Sequence, residues 1–358
     1  MKIAIDVQTT LGQKSGFGFY VKNLTENLKK VDPKNKYMLL APKTQRDFST
    51  PQRFIWDQLT FPNLARKAKV DILHQPCFSA PLFYSGKVII TIHDLIYHFF
   101  PKNIPSGSRF YFSKWMPLTY RKADKIIAIS ENTKRDIIDL LNIPEEKIIV
   151  IHSAVGEEYK PINDPQAIAL VKKKYNTGEN FILDVGTLEP RKNLQFLVKA
   201  FNLALKKGKI DCNLVLTGKK GWYYEGLFAL VNELKLEQRV IFAGYVPDED
   251  LPLLYNAARI FAFPSLYEGF GFPPLEALSC GTPVIAANNS SIPEVVGDAG
   301  ILLDIESEKV WAEEIIRVMT DEQLAKTLSQ KGLEQAKKFS WAKTARETVK
   351  VYEEVYKQ

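Results

Sequence analysis

The sequence predicts an α/β protein built as two doubly wound parallel-sheet domains in tandem. Its 358 residues exceed what one hydrophobic core usually supports. Short β-rich runs alternate with amphipathic stretches along the chain, the rhythm of a parallel sheet covered by helices. A stretch rich in Pro, Gly and acids, residues 153–165 (SAVGEEYKPINDP), interrupts that rhythm near the middle.

The strand candidates of the first half are residues 2–7, 37–41, 71–74, 87–93, 125–129 and 147–152. Those of the second half are 181–185, 213–217, 240–243, 260–263, 283–286 and 300–303. The interrupting stretch reads as an interdomain linker, which sets the domains at residues 1–160 and 161–339. From Ser340, a plausible N-cap, Trp341, Ala345, Val349, Tyr352 and Tyr356 recur at helical spacing. Residues 340–358 therefore form a closing amphipathic helix, free to cross back to the first domain.

Apolar residues make up 46 % and charged residues 25 %, the composition of a globular protein without disordered tracts. Cys77, Cys212 and Cys280 are odd in number and far apart, which points to a reducing cytoplasm and offers no metal or redox pair. The N-terminus is too soon interrupted by Asp6 for a signal peptide, and no apolar run approaches the roughly 20 residues of a membrane span. Charge is uneven. Residues 1–160 hold 24 Lys and Arg against 15 Asp and Glu, whereas residues 161–358 hold 24 against 26. A basic half attracts nucleic acid, anionic lipid or a phosphorylated substrate, and net charge does not choose among them.

Ligands of open α/β sheets sit beyond the carboxyl ends of the strands, so the residues just after each strand carry the search for a site. After the strand at 181–185 comes Gly186-Thr187-Leu188-Glu189-Pro190-Arg191-Lys192-Asn193, then a helical run. Two cations at a helix entrance are locally unfavourable, and they make an anion site. The most specific stretch, Tyr267-Glu268-Gly269-Phe270-Gly271-Phe272-Pro273-Pro274-Leu275-Glu276, follows the strand at 260–263. Gly269 and Gly271 allow a close backbone approach, and Pro274 suits a first helical turn, placing Glu276 at the start of a short helix. Glu268 and Glu276, eight residues apart, are expected to face one cavity and accept hydroxyl pairs.

These segments, GTLEPRKN and EGFGFPPLEALSCGTPVIA, resemble the signature of retaining glycosyltransferase family 4, of GT-B fold with two Rossmann-like domains facing a cleft. The likeness runs over essentially the whole chain. The C-terminal motifs are its specific part. Ser15-Gly16-Phe17-Gly18, Ile92-His93-Asp94-Leu95 and Ser130-Glu131-Asn132-Thr133 fall where the family has such elements. The resemblance implies that Arg191 and Lys192 hold the donor diphosphate, and that Glu268 and Glu276 contact the transferred sugar and the ribose. Backbone amides at Gly269, Phe270 and Gly271 add phosphate and sugar contacts, while Gly16 and Gly18 lie beside the donor phosphates and acceptor. His93 meets the reacting sugar, His74 is a weaker candidate, and His98 and His152 read as structural. Some members carry Arg where this chain has Thr187, so one phosphate contact is absent or supplied otherwise.

The implied activity is retaining transfer of a hexose, first mannose from GDP-mannose, to a glycan or lipid-linked acceptor. A UDP-sugar donor, a GT-B phosphorylase or an epimerase stay open as alternatives, with a nucleic-acid-binding protein more remote. No helix-turn-helix, zinc or RNA-binding motif supports nucleic acid as a partner. Asp248-Glu249-Asp250 superficially suggests a metal site, yet it precedes a helical run and has N-cap chemistry. No metal and no other cofactor is expected, since the nucleotide sugar is a substrate. Residues 99–122 interleave Phe99, Phe100, Phe110, Tyr111, Phe112, Trp115 and Tyr120 with Lys102, Arg109, Lys114, Arg121 and Lys122. That pattern reads either as a core-packed helix with a basic face or as a surface for anionic membrane. The expected location is the cytoplasm, with the inner face of the membrane as a peripheral site.

Overall fold

The computed structural model describes residues 1–11, 16–43, 47–101, 106–221 and 223–358. The chain divides into two compact units, Met1–Ala154 with Phe339–Gln358, and Val155–Lys338. All twelve expected strands form.

In the first unit β1 (Lys2–Asp6), β2 (Lys36–Leu40), β3 (Ile72–Gln75), β4 (Lys87–Ile92), β5 (Lys125–Ala128) and β6 (Ile148–Val150) make one sheet, in the order β2-β1-β3-β4-β5-β6. Neighbouring strands run parallel throughout. The β1 segment IAID and the β3 segment ILHQ are buried along their length because helices cover both faces. In this order the chain reverses direction between β1 and β3. Crossovers there leave to opposite faces, and a crevice opens beyond the strand ends.

The second unit repeats the plan with β7 (Phe181–Val185), β8 (Asn213–Thr217), β9 (Val240–Gly244), β10 (Ile260–Phe263), β11 (Val284–Ala287) and β12 (Ile301–Leu303). Their order is β12-β11-β10-β7-β8-β9, so its reversal lies between β7 and β10. The core centres on Phe181, Phe201, Phe261, Phe263 and Trp311, each fully buried. Helix starts are chemically marked. Asp164 accepts from the amides of Gln166 and Ala167 ahead of Pro165, and Asp321 accepts from Leu324. Residues of the presumed linker are tied down here: Ile162 donates its amide to Asn256 Oδ1 at 2.7 Å, and Asn256 donates back to the Lys160 carbonyl.

The helix Trp341–Lys357 lies against the helix Gly16–Val31 within the first unit. Ser340 caps it by accepting from the Lys343 amide. Its buried face differs from the expected stripe: Trp341, Thr344, Ala345, Thr348, Val351, Tyr352 and Val355 are covered, whereas Tyr356 is exposed. A 3.6-residue period moves the stripe slowly around the helix, and Val355 rather than Tyr356 continues it. Tyr352 is fully buried, and its hydroxyl shares a 2.6 Å hydrogen bond with His74 Nδ1, while His74 Nε2 meets Thr91 Oγ1 at 3.0 Å. Burial pushes the His74 imidazole down to about 3, so both its nitrogens serve a neutral structural network.

Tyr352→Phe leaves the His74 nitrogen buried without its partner, at a cost of about 1–3 kcal/mol. Urea denaturation is expected to show a lowered midpoint with unchanged slope; an unaltered midpoint counts against this role for the hydroxyl.

Candidate active site

The site grows from the sheet reversal between β7 and β10. β7 ends at Val185, and Gly186 carries the chain outward; a Cβ at that position would sit 3.0 Å from Lys192 Cε. Glycine is therefore what lets the lysine stem lie along the strand end. Gly218, after β8 and at φ +129°, passes so close that a Cβ there would collide with the Gly186 carbonyl. Pro190–Lys192 then form a single 3-10 turn, and Asn193, left-handed at φ 56°, opens the helix Leu194–Lys206. The cations thus precede the α-helix, at the entrance where the sequence places them. Asn193, in its left-handed conformation, separates the 3-10 turn from the helix, so both cations lie outside its first turn.

Both cations reach across to the segment after β10. Arg191 Nη1 lies 2.7 Å and Lys192 Nζ 2.6 Å from the same oxygen, Glu268 Oε1. Ser265 Oγ donates to that oxygen at 2.6 Å. Arg191 is held further by Glu189, which takes Nε at 2.9 Å and Nη2 at 2.6 Å, and by the Tyr267 carbonyl at 2.8 Å. Lys192 is 6 % exposed, with its ammonium 4.8 Å from the Phe263 ring centroid. Burial alone would raise the Glu268 pKa, but the Arg191 guanidinium and Lys192 ammonium outweigh it and hold the carboxyl at about 2. The backbone of Glu268 is latched as well: its amide donates to Ser290 Oγ, and Ser291 Oγ donates to its carbonyl. Ser290 sits at φ 47°, a strained conformation for a non-glycine residue that recurs at functional sites.

Glu276 is not brought to the cation pair. Gly271, at φ +108°, turns the chain into the helix Phe272–Cys280, so Glu276 falls in its second turn and not at its start. Its Oε2 accepts from the buried Tyr255 hydroxyl at 2.7 Å, and burial pushes its pKa up to about 7. Phe270 is buried against the edge of Phe272, and Gly269 is buried beside it. The two acids of the motif therefore occupy opposite electrostatic settings, one clamped by cations and one held among phenols.

The first unit places its candidates differently. Gly16 and Gly18 lie inside the first turn of the helix Gly16–Val31 and not in a loop before it, because that helix starts earlier than the apolar run suggests; Ser15 lies outside the described residues. His93 follows β4, its Nε2 donating to the Pro76 carbonyl at 2.9 Å and its ring edge-on to Phe17 and Tyr20. Burial lowers its pKa to about 4, which leaves a neutral imidazole. Asp94 accepts from the Ile96 amide. Thr187 is exposed. Asp250 stands at the start of the helix Leu251–Ala257 without capping it; its carboxylate accepts instead from Tyr175 and Lys174. Among the described residues no group of three or more His, Cys, Asp or Glu is placed to hold a metal ion.

Comparisons with known proteins bear on the family and the fold. The profile of glycosyl transferases group 1 matches residues 166–335, and that of glycosyltransferase family 4 matches residues 21–159. O-antigen chain mannosyltransferase B of Escherichia coli is 35 % identical over 287 residues, 80 % of this chain and 75 % of that protein. The chain belongs to glycosyltransferase family 4. The serotype-specific mannosyltransferase WbdA of Escherichia coli is 34 % identical over 265 residues, covering 72 % of this chain but 32 % of WbdA. A crystal structure of a glycosyltransferase from Rickettsia africae superposes with TM-score 0.76 at 21 % identity, over 100 % of this chain and 99 % of that one. The fold of this glycosyltransferase is GT-B.

Residue-by-residue reading missed several members of the site. Ser265, Ser290 and Ser291 follow β10 and β11, and the run Asn288-Asn289-Ser290-Ser291 after a strand end was the available signal. Asp184 was also missed, although an acid inside the apolar strand FILDV is conspicuous. It is fully buried, and neither carboxylate oxygen has a hydrogen-bond partner among the described residues. Burial pushes its pKa up to about 7; Lys192 opposes that rise and Glu268 adds to it. The folded glycosyltransferase therefore holds a proton on Asp184 more tightly than the unfolded chain does. Its contribution to stability is full below about pH 4 and is lost as pH rises towards 7. Glu276 titrates in the same sense. Asp184→Asn is expected to flatten the decline between pH 4 and 8 by an amount on the order of a few kcal/mol. Denaturant titrations across that range check this, and an unchanged slope would contradict a protonated Asp184.

Proposed function

We propose that this glycosyltransferase moves mannose from GDP-mannose to a glycan or lipid-linked acceptor, with retention of anomeric configuration. The observation that carries the reading is the convergence of Arg191 and Lys192 on one carboxylate oxygen at the β7/β10 reversal. Donors that grip a carboxylate oxygen at 2.6–2.7 Å also suit a diphosphate oxygen, which is an acceptor of the same kind. As the glycosyl–phosphate bond breaks, negative charge grows on the diphosphate, and these fixed cations stabilise it where it forms. Glu268, held ionised, accepts from the sugar hydroxyls, and its charge favours an oxocarbenium-like sugar. Glu276 receives the ribose hydroxyls, while amides at Gly269, Phe270 and Gly271 add contacts to phosphate and sugar. His93 enters as a neutral hydrogen-bonding group, since its pKa of about 4 rules it out as an acid at neutral pH. The leaving phosphate takes the acceptor proton on the same face. Arg191 and Lys192 supply the positive charge that a divalent ion otherwise provides, so the proposal includes no metal. Mannose as the sugar is supported by two relatives named as mannosyltransferases.

A thermal-shift panel of GDP-, UDP-, ADP- and dTDP-sugars tests the donor, because a ligand stabilises the folded protein according to its affinity. GDP-mannose is expected to give the largest shift, and a larger one with a UDP-sugar replaces it. In the transfer assay Lys192→Ala is expected to slow turnover roughly tenfold to a few hundredfold, the loss of one charge-assisted hydrogen bond. Turnover is expected to persist in excess EDTA; a complete loss restored by magnesium would refute the metal-free mechanism.

We further propose that the enzyme works at the cytoplasmic face of the membrane through its basic first unit. Tyr111, Met116 and Tyr120 are buried, so much of the aromatic content of residues 99–122 goes to the core, and Lys102 lies outside the described residues. Phe110, Lys114, Leu118 and Arg121, spaced by four, four and three, are all exposed. Apolar and basic side chains sharing an exposed stripe suit an anionic lipid surface. No helix among the described residues is long and apolar enough to cross a membrane. Flotation with anionic vesicles at low salt is expected to recover the protein, with recovery reduced in a Phe110→Ser, Leu118→Ser double variant; recovery equal to that with neutral vesicles would remove this part.

A further inference from the structure

The first unit holds a cavity of about 260 Å³ lined by residues that follow the ends of β1, β2, β3 and β4, and its sheet reverses between β1 and β3. The wall is built around Arg53. Its guanidinium is 6 % exposed and donates to Asp6 at 3.1 Å, to Asp57 at 3.2 Å and to the side-chain oxygen of Gln8. Two acids against one cation leave no surplus positive charge for a phosphate. The guanidinium is also stacked, 4.3 Å from the Phe78 ring centroid and 5.3 Å from that of Phe48. Phe78 sits at φ 62°, a left-handed conformation that costs a bulky residue about 1 kcal/mol or more, and its ring meets Phe17 edge-on at 5.3 Å. Phe17, Phe48 and Phe78 are half-buried and line the cavity, Phe48 and Phe78 with one side packed against the core. Gln8 is 2 % exposed and gives its oxygen to Arg53, while no acceptor among the described residues meets its amide nitrogen.

We propose that this cavity is a subsite for a neutral hexose ring, the terminal sugar of the acceptor glycan. The aromatic rings offer apolar faces to the C–H face of a pyranose, and the Gln8 amide offers a donor to a ring hydroxyl. The volume falls below the roughly 300–1,000 Å³ of whole small-molecule sites, which suits one ring. The excess of acid, Asp6 and Asp57 on Arg53 with Asp47 on the lining, separates this cavity from the two-cation cluster of the second unit and disfavours a phosphorylated ligand. The assignment of the sugar to the acceptor rests on the transferase reading above; the assignment of a hexose to the cavity does not.

Two measurements keep these apart. Saturation-transfer NMR of the full chain with methyl glycosides of mannose, glucose, galactose and N-acetylglucosamine, without any donor, reads the cavity alone. Transfer to at least one glycoside is expected in the wild type, lost in Phe48→Ala and retained in Phe48→Trp. Steady-state kinetics with a mannose-terminated oligosaccharide then reads the role: Phe48→Ala is expected to raise the acceptor KM roughly tenfold, the cost of truncating one aromatic anchor, with the donor KM unchanged. Equal NMR signals in wild type and Phe48→Ala, or no signal with any glycoside, overturn the subsite. A raised donor KM with an unchanged acceptor KM overturns its assignment to the acceptor. Loss of binding in Phe48→Trp as well, with an unaltered unfolding midpoint, also overturns the aromatic platform.

Discussion

One carboxylate oxygen organises the second unit. Glu268 Oε1 receives a guanidinium, an ammonium and a hydroxyl, each within 2.7 Å, and everything around it keeps that meeting in register. Gly186 leaves room for the lysine stem, Asn193 reverses the backbone before the helix, and Ser290 and Ser291 hold the Glu268 backbone. Charges taken this far from water are costly unless paired with good geometry, so the cluster is only as stable as its shape. Such an arrangement is preorganised: the cations do not have to be gathered when new negative charge appears.

Charge balance around the cluster explains the oddest group in the unit. Arg191 and Lys192 are already matched by Glu189 and Glu268. A third acid, Asp184, has no hydrogen-bond partner among the described residues, and burial pushes its pKa up to about 7 against the pull of Lys192. The same principle acts in the first unit with the opposite result. There Arg53 is shared between Asp6 and Asp57, and the surplus that remains is not charge but aromatic surface and one amide donor. Two sheets of one plan thus present one reversal point built on two paired cations and one built on aromatic rings around a single shared cation.

Much of this was legible in the order of residues. The strand rhythm gave all twelve strands because parallel strands buried on both faces are continuous apolar runs, a signal that survives without tertiary knowledge. Backbone freedom was legible at Gly271, which is at positive φ. The helix boundaries were less so: Glu276 lies one turn deeper than the prolines suggested, and Gly16 is already helical. Capping signals are local and compete with one another, so the surrounding packing decides among them.

By itself the sequence determined the fold class, the family motifs and the identity of Arg191, Lys192 and Glu268 as neighbours of strand ends, because periodicity, glycine and strand-end position are local properties. Only the tertiary structure decided that two cations 76 and 77 positions away share one oxygen of Glu268, that Glu276 keeps company with Tyr255 instead, and that burial raises the Asp184 pKa to about 7. Those outcomes depend on distance and burial, and neither is written along a chain until the sheet brings remote strand ends together.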